Sequence, residues 1–166
     1  MKVYLISGRT GAGKTTIAKQ ISQQIPAFRI SHDELLLELY GRKIAKSEFR
    51  EYCERVNQLI WRQISELSRL NVSVVVEGFG SRSLRDIGRS ELKRLGVDHE
   101  FIYVECPKEL RWQRVMTRNS DPEYLGFKIE ENDFERMETI REEFDADENG
   151  QVIDNSGHNK YVDFTR

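Results

Sequence analysis

The sequence contains few cysteines and histidines, and neither type is arranged for a disulfide framework or a metal site. Its 166 residues include two cysteines and three histidines. Cys53 and Cys106 lie far apart and form no CxxC pair, so we expect buried thiols in a reducing compartment. The histidines, His32, His99 and His158, show no spacing typical of metal ligands. These features argue against a disulfide scaffold and against a histidine-ligated metal centre.

Long apolar runs and an excess of one charge are also missing. No apolar run approaches the roughly 20 residues of a membrane span, and the first residues show no signal-peptide pattern. The net charge of −2 gives no argument for nucleic acid or an anionic membrane as a partner. We therefore expect a cytoplasmic protein with no membrane partner. The length suits a single domain over 1–166 with one well-filled core.

The chain alternates between β-rich and helix-like segments. Apolar, β-rich stretches predict strands over 2–7, 28–31, 72–78, 99–106 and 151–156. Helical spacing and capping residues predict helices over 14–24, 32–41, 47–70, 83–95, 107–118 and 130–144. Since strands and helices alternate without repeats or a long linker, we predict an α/β fold in which helices cover both faces of a parallel sheet.

Two segments in the last third of the chain stand out by composition. Residues 119–127 are rich in turn formers and predict a mobile loop. Residues 130–148 contain ten carboxylates against only Arg136 and Arg141. We interpret this acidic segment as a solvated helix face.

A glycine-rich loop at 8–15, GRTGAGKT, matches the phosphate-binding pattern GxxxxGK[ST] in full. The glycines permit close approach of the backbone, so that successive N–H groups form an anion nest at a helix N-terminus. Lys14 would reach the β- and γ-phosphates, and the Thr15 hydroxyl would bind Mg²⁺. The predicted nucleotide-binding residues are Gly8, Arg9, Thr10, Gly11, Ala12, Gly13, Lys14, Thr15 and Thr16.

Two short stretches match the GTPase patterns only superficially. DNSG at 154–157 fits DxxG by letters, whereas NKYVD at 159–163 is one residue longer than NKxD. The two stretches almost adjoin, although a GTPase separates these motifs by strands and helices. The chain also has no LSGGQ-like stretch and is too short for a ring ATPase with a helical lid domain. A compact nucleotide-kinase plan remains.

Two carboxylates follow predicted strands at the edge where ligands bind in open α/β sheets. Asp33 would face the γ-phosphate and could accept the proton of an acceptor hydroxyl. It also lies inside a capping box, Ser31 to Glu34, which is a purely structural alternative. Glu77 ends the third strand at the Walker-B position and could hold Mg²⁺ through water, or it could be a strand-end carboxylate without a role.

Arginines are placed on two predicted helix faces. Arg111, Arg114 and Arg118 share one face, and Arg118 leads into the loop at 119–127, as in a lid that brings arginine to the phosphoryl group. Plain helix surface is the alternative. A second cationic face, between Arg82 and Lys93, could bind an anionic acceptor or could be solvated.

Several stretches carry a family resemblance over nearly the whole chain. They include GRTGAGKTT at 8–16, SHDELLLELYG at 31–41, VVVEGFGSRSLRD at 74–86 and HEFIYVECPKELRWQRVMTRN at 99–119. In them the chain resembles small P-loop kinases related to polynucleotide 5′-hydroxyl kinases, zeta toxins and chloramphenicol phosphotransferase. It is most similar to short, stand-alone bacterial kinases of that group, with an AAA-type ATP-binding domain.

The resemblance implies a P-loop NTPase fold of the nucleotide-kinase type, a three-layer sandwich with a five-stranded parallel sheet of order 2-3-1-4-5. It implies that Asp33 is the base for the acceptor hydroxyl and that Arg85 contacts the acceptor. Arg114 and Arg118 match the R-x-x-x-R pair of a lid helix, and adenine is expected near this pair and residues 152–157. Glu77 stands where relatives more often have Asp, which favours a water-mediated metal contact.

We therefore expect an ATP- and Mg²⁺-dependent phosphotransferase that acts on a hydroxyl of a small-molecule acceptor. Lys14, Asp33 and Arg118 are the predicted catalytic residues, and 119–134 is the predicted lid. One alternative is a polynucleotide 5′-hydroxyl kinase, for which only the Arg82–Lys93 face would supply a basic channel; nucleic acid is thus a less favoured partner. Another is an ATP-binding switch or weak ATPase that has no phosphoryl acceptor and works by changing shape for a protein partner.

Overall fold

A computed structural model describes residues 1–140, 142, 144–148, 150–157 and 164. The strands are β1 (Val3–Gly8), β2 (Ala27–Ser31), β3 (Ser73–Glu77), β4 (His99–Glu105) and β5 (Gly150–Asp154). The helices are α1 (Lys14–Gln24), α2 (His32–Tyr40), α3 (Lys46–Arg69), α4 (Arg82–Leu95), α5 (Lys108–Ser120) and α6 (Glu131–Ile140), followed by a 3₁₀ turn at Ala146–Glu148. Each predicted element is present, and most of the ends agree within two residues.

The last predicted helix is the exception, because it ends at Ile140 instead of near residue 144. Glu142 lies outside the helix and accepts a hydrogen bond of 2.6 Å from the backbone N–H of Arg82. Asp145 binds the Arg82 guanidinium at 2.6 Å. Glu142 and Asp145 thus bind α4 instead of extending the helix.

The five strands form one parallel sheet in the order β2-β3-β1-β4-β5, which confirms the predicted order. β1 lies at the centre and pairs with β3 on one side and β4 on the other. All six of its residues are buried, as the uninterrupted apolar run VYLIS predicts.

Alternate residues of β1 enter two separate cores, one on each face of the sheet. Leu5 packs with Val56 and Ile60 of α3, whereas Ile6 packs with Ile17 and Ile21 of α1. The carboxyl ends of β1, β2 and β3 therefore open at one edge between the two helix layers, where the phosphate loop begins. In the part of the chain that the structure describes, no helix is long and apolar enough to cross a membrane.

Candidate active site

The phosphate loop follows β1 and turns directly into α1. Gly13 precedes the helix in the left-handed region, with φ 95°. Among the described residues, no side chain accepts a hydrogen bond from the first backbone N–H groups of α1. Such N–H groups at a helix N-terminus can bind an anion. The Lys14 ammonium group lies across the loop and donates to the carbonyl of Arg9 at 3.1 Å. This arrangement provides N–H groups and one cation for a polyphosphate.

Two of the loop glycines are required by their surroundings. Gly8 has φ 140°, and a Cβ there would lie 2.5 Å from the carbonyl oxygen of Val104. At Gly13, a Cβ would lie 2.2 Å from the side-chain nitrogen of Asn155. Because the same amide nitrogen donates to the carbonyl of Ala12 at 2.7 Å, Asn155 fastens the end of β5 to the phosphate loop.

The two residues predicted to bind a metal, Thr15 and Glu77, lie side by side where α1 begins and β3 ends. The Thr15 hydroxyl donates to Glu77 at 2.7 Å, and Glu77 is only 4% exposed. Arg29 binds both Glu77 and Glu34. Burial raises the pKa of Glu77, although hydrogen bonds from Thr15 and Arg29 oppose the shift. Among the described residues, no three side chains of the His, Cys, Asp and Glu types converge as a metal site. The hydroxyl and carboxylate oxygens are nevertheless the hard ligands that fit Mg²⁺.

Asp33 lies in the first turn of α2, where its carboxylate lines the same cleft as Lys14. The side chain is 84% exposed, and one carboxylate oxygen lies 3.4 Å from Nδ1 of His32. The capping interaction is present, because Ser31 accepts from the backbone N–H of Glu34 at 3.4 Å. The cap uses Ser31 and leaves the Asp33 carboxylate at the cleft.

The three arginines of α5 have different surroundings. Arg111 is 3% exposed and contacts the phosphate loop, because it donates to the carbonyl of Thr10 at 3.3 Å. It also donates to Glu138 at 2.7 Å. Glu138 also binds Arg9 at 3.0 Å. The hydrogen bond from Arg111 lowers the pKa of Glu138 against the effect of burial, and Arg9 adds to this lowering. Arg111 is thus a structural residue, neither plain surface nor part of the cleft.

Arg114 and Arg118 both line the cleft. Arg114 donates to the backbone carbonyl of Asn155 at 2.9 Å, next to the phosphate loop. The Arg118 guanidinium lies over the ring of Tyr124, 4.9 Å from its centroid. Its Nε is buried and has no hydrogen-bond partner among the described residues. A buried, unsatisfied donor on a cation is costly unless a ligand accepts from it.

The predicted lid region, 119–134, contains an irregular stretch at 121–130 between α5 and α6. Asn119 closes its base, donating to the carbonyl of Ile129 at 2.7 Å and accepting from the same residue's N–H at 3.3 Å. The same cleft that the phosphate loop lines is also lined by Tyr124, Leu125 and Phe127 of this stretch. The stretch therefore forms one wall of the cleft.

Arg85 is not placed where the sequence predicted. Its side chain is completely buried and donates twice to Glu148, through Nε and Nη2, each at 2.7 Å. Arg89 binds the same carboxylate. Because a fully buried arginine needs an anionic partner, its guanidinium is held by Glu148 and does not line the cleft. The prediction that Arg85 contacts an acceptor does not agree with this structure.

The acidic segment is correspondingly more than a solvated face. Glu138 and Glu148 are 11% and 0% exposed, and each binds two arginines. Asp147 binds Arg82 at 2.6 Å. The cationic face on α4 is thus largely neutralised by the chain itself.

Sequence reasoning missed Asn155, Tyr124 and Phe127 as parts of the site. Asn155 lies in the DNSG stretch, within residues 152–157 that were expected near adenine, but it was not predicted to contact the phosphate loop. Tyr124 and Phe127 lie in the segment that was predicted as a loop and lid, and the available signal was an aromatic residue six positions after the predicted catalytic Arg118. The NKYVD stretch at 159–163 lies outside the described residues.

Known proteins that are similar to this chain in sequence or in structure include kinases. Shikimate kinase from Haemophilus influenzae (strain PittEE) is 29% identical over 127 residues, covering 72% of this chain and 64% of that protein. The chain thus spans less than two thirds of this relative's length. A sugar kinase from Janibacter sp. HTCC2649 superposes with a TM-score of 0.65 at 17% identity, over 93% of this chain and 85% of that one.

A chain of the Pnkp1/Rnl/Hen1 RNA repair complex gives a TM-score of 0.66 at 22% identity, over 83% of this chain and 43% of its own length. Identities this low show a shared fold alone. The match to a family is more extensive, because residues 3–145 fit the AAA_33 family, described as an AAA domain. These residues run from the phosphate loop through the lid arginines to the acidic segment, and they confirm the resemblance to P-loop kinases. The chain belongs to the AAA_33 family of P-loop proteins.

Proposed function

We propose that the protein is an ATP- and Mg²⁺-dependent phosphotransferase whose acceptor is a hydroxyl group of a small molecule. One observation carries the proposal: the phosphate loop and the exposed carboxylate of Asp33 line a single cleft of about 690 Å³. This volume is typical of sites that bind small molecules. A donor phosphate and an acceptor hydroxyl can therefore meet in one enclosure. The kinase names of the relatives support this interpretation.

The donor half of the site would be formed by the phosphate loop. The amides at the start of α1 and the Lys14 ammonium group would bind the β- and γ-phosphates. Thr15 and Glu77 would hold Mg²⁺, directly or through water. The ion would neutralise negative charge on the β- and γ-phosphates. Arg29 would keep the buried Glu77 carboxylate in position by its ion pair.

The acceptor half would be formed by α2 and the stretch at 121–129. Asp33 would take the proton from the acceptor hydroxyl as its oxygen attacks the γ-phosphorus and the bond to ADP breaks. Arg118 would donate to the transferring phosphoryl group, which would satisfy its buried Nε. Residues 119–134 would act as a lid that limits water in the cleft.

The substitution Asp33→Asn tests the proposed base. We expect ATP affinity to stay unchanged and acceptor-dependent transfer to fall about a hundred- to ten-thousand-fold. Glu38→Gln on the same helix is the matched control, because Glu38 is exposed and does not line the cleft. ATP binding and transfer from γ-labelled ATP are measured for both proteins. Full transfer by the Asp33→Asn protein would refute the role.

The rival functions predict different results. A switch or weak ATPase would bind and hydrolyse ATP without any acceptor-dependent product. A polynucleotide 5′-hydroxyl kinase would bind oligonucleotide with an affinity that falls steeply with salt. The ion pairs of Arg82, Arg85 and Arg89 with the acidic segment leave α4 a poor basic channel, which supports a small acceptor.

A further inference from the structure

The side chain of Arg118 is held differently from most of the shielded arginines that the structure describes. Those that bind carboxylates include Arg29, Arg85, Arg89 and Arg111. Among the described residues Arg118 has no carboxylate partner, and its buried Nε has no hydrogen-bond partner. Its guanidinium lies instead over the ring of Tyr124, with Cζ 4.9 Å from the ring centroid.

An aromatic partner leaves a cation available, whereas a carboxylate partner does not. Glu148 neutralises Arg85 and accepts hydrogen bonds from two of its nitrogens. The face of a tyrosine ring attracts a guanidinium through its quadrupole, but it carries no net charge and occupies no in-plane N–H donor. Arg118 can therefore be fixed in one orientation and still present its charge and N–H groups to an anion.

The ring of Tyr124 is itself held by the turn at 121–126. The backbone N–H of Tyr124 donates to the carbonyl of Asp121 at 3.2 Å, and the Asp121 carboxylate accepts from the N–H of Glu123 at 2.9 Å. The ring covers Gly126, where a Cβ would lie 2.2 Å from the phenol oxygen and 2.4 Å from Cζ. The φ of Gly126 is not positive, so the ring and not the backbone conformation requires a glycine there.

We propose, on the basis of the proposed function, that Tyr124 is a positioning residue that holds Arg118 toward the transferring phosphoryl group, and that Gly126 leaves the space for its ring. All three residues line the cleft that also contains Lys14. Because the contact orders the long Arg118 side chain before the phosphate arrives, less rotamer freedom is lost when the phosphoryl group is bound. The unsatisfied Nε would then find its acceptor in a phosphoryl oxygen.

ADP with aluminium fluoride tests this role without an identified acceptor, because the fluoride complex imitates the transferring phosphoryl group. Binding of a fluorescent ADP is measured in the presence of Mg²⁺, with and without aluminium fluoride. We expect aluminium fluoride to tighten binding to the parent protein, and Tyr124→Leu to reduce that tightening about tenfold. Binding of ADP alone should change by less than about twofold, and Tyr124→Phe, which keeps a ring, should behave nearly as the parent. Tightening that is absent from the parent, or unchanged in Tyr124→Leu, would overturn the proposal.

A double-mutant cycle separates positioning from direct contact with the ligand. In an Arg118→Ala protein, Tyr124→Leu should have no further effect on binding of the aluminium fluoride complex. The same loss in both backgrounds would mean that Tyr124 acts on the ligand itself, and the positioning role would be wrong.

Gly126→Ala provides an independent variant, because its methyl group would displace the ring of Tyr124. We expect it to reduce the tightening about as much as Tyr124→Leu and to add nothing to that substitution. Gly96→Ala, where a Cβ meets no atom within 4 Å, is the matched control and should leave the tightening unchanged. An equal reduction by the two alanine variants, or parent-like tightening in Gly126→Ala, would contradict the proposal.

An NMR signal separates this proposal from the proposed function. The N–H signal of Arg118 Nε is assigned by its loss in Arg118→Ala, and the ring current of Tyr124 should shift it. The shift should disappear in Tyr124→Leu and persist in Tyr124→Phe, whether or not the protein transfers phosphate. If an acceptor screen gives no product, the proposed function fails, while this shift and the aluminium fluoride results would still support the positioning of Arg118. A signal unaffected by Tyr124→Leu would overturn the proposal even in an active kinase.

Discussion

The buried ion pair between Arg85 and Glu148 makes a quantitative prediction about stability. Both side chains have zero exposure, and two hydrogen bonds of 2.7 Å join them. The substitution Glu148→Gln removes the carboxylate while Arg85 stays buried and charged. Breaking one partner of such a pair costs about 3–5 kcal/mol. For a chain of this size that loss corresponds to a fall in Tm of roughly 10 °C.

The reverse substitution should cost less. In Arg85→Met, Glu148 keeps Arg89 and the backbone N–H of Asp145, which donates at 3.0 Å. We therefore expect a loss of about 2 kcal/mol, which is typical of hydrogen bonds to a charged group. Replacing both residues by Met should recover much of the stability that Glu148→Gln loses, because no buried charge is left without a partner. Arg89, which also loses Glu148, is 25% exposed and has Asp86 nearby.

Urea unfolding of the four proteins at one pH checks this order. A Glu148→Gln protein as stable as the parent, or an Arg85→Met protein less stable than Glu148→Gln, would refute the reasoning.

The Arg85→Met protein also tests whether Arg85 contacts the acceptor. Below its Tm, Arg85→Met should keep KM for the acceptor within about twofold, since a fully buried guanidinium outside the cleft does not touch substrate. A tenfold rise in KM would return Arg85 to the acceptor site.

Two further predictions concern His32 and Gly13. Burial lowers the pKa of His32, but hydrogen bonds with Asp33 and Cys53 outweigh burial and raise it from 6.5 to about 9. The resulting stabilisation, at most about 3 kcal/mol, should be complete below pH 6.5 and should disappear as the pH rises through 9. Urea titrations from pH 6 to 10 should show this loss in the parent and in a His99→Gln control but not in His32→Gln. Gly13→Ala should weaken ATP binding more than tenfold, because its Cβ would meet Asn155; Gly96→Ala, also at positive φ but with open space around it, should bind ATP normally.

The fold was predictable because its signals are local. The central strands β1, β3 and β4 contain apolar runs, and the helices have periodic apolar faces, so these elements could be placed before their neighbours were known. The phosphate loop was predictable for the same reason, since its chemistry depends on eight consecutive residues. The strand order came from family resemblance and not from periodicity.

The errors concern charges whose partners are distant in sequence. Arg85 and Glu148 lie 63 positions apart, and nothing in either segment reveals that each neutralises the other. A run of carboxylates is usually solvated, so the burial of Glu138 and Glu148 could not be inferred from composition. Helix α6 ended early for the same reason, because Glu142 binds the N-terminus of α4.

The central position of β1 also has a consequence for synthesis of the protein. This strand is made before both of its partners, which are Val74–Glu77 and His99–Val104. A nascent chain that ends before residue 104 therefore exposes one hydrogen-bonding edge of β1, and the oxygen of Val104 is not yet beside Gly8. The phosphate loop, although it lies at residues 8–15, can reach its final shape only after residue 104 has been made. Nascent chains halted before β4 should be unable to retain ATP and should be prone to pairing with other exposed strands.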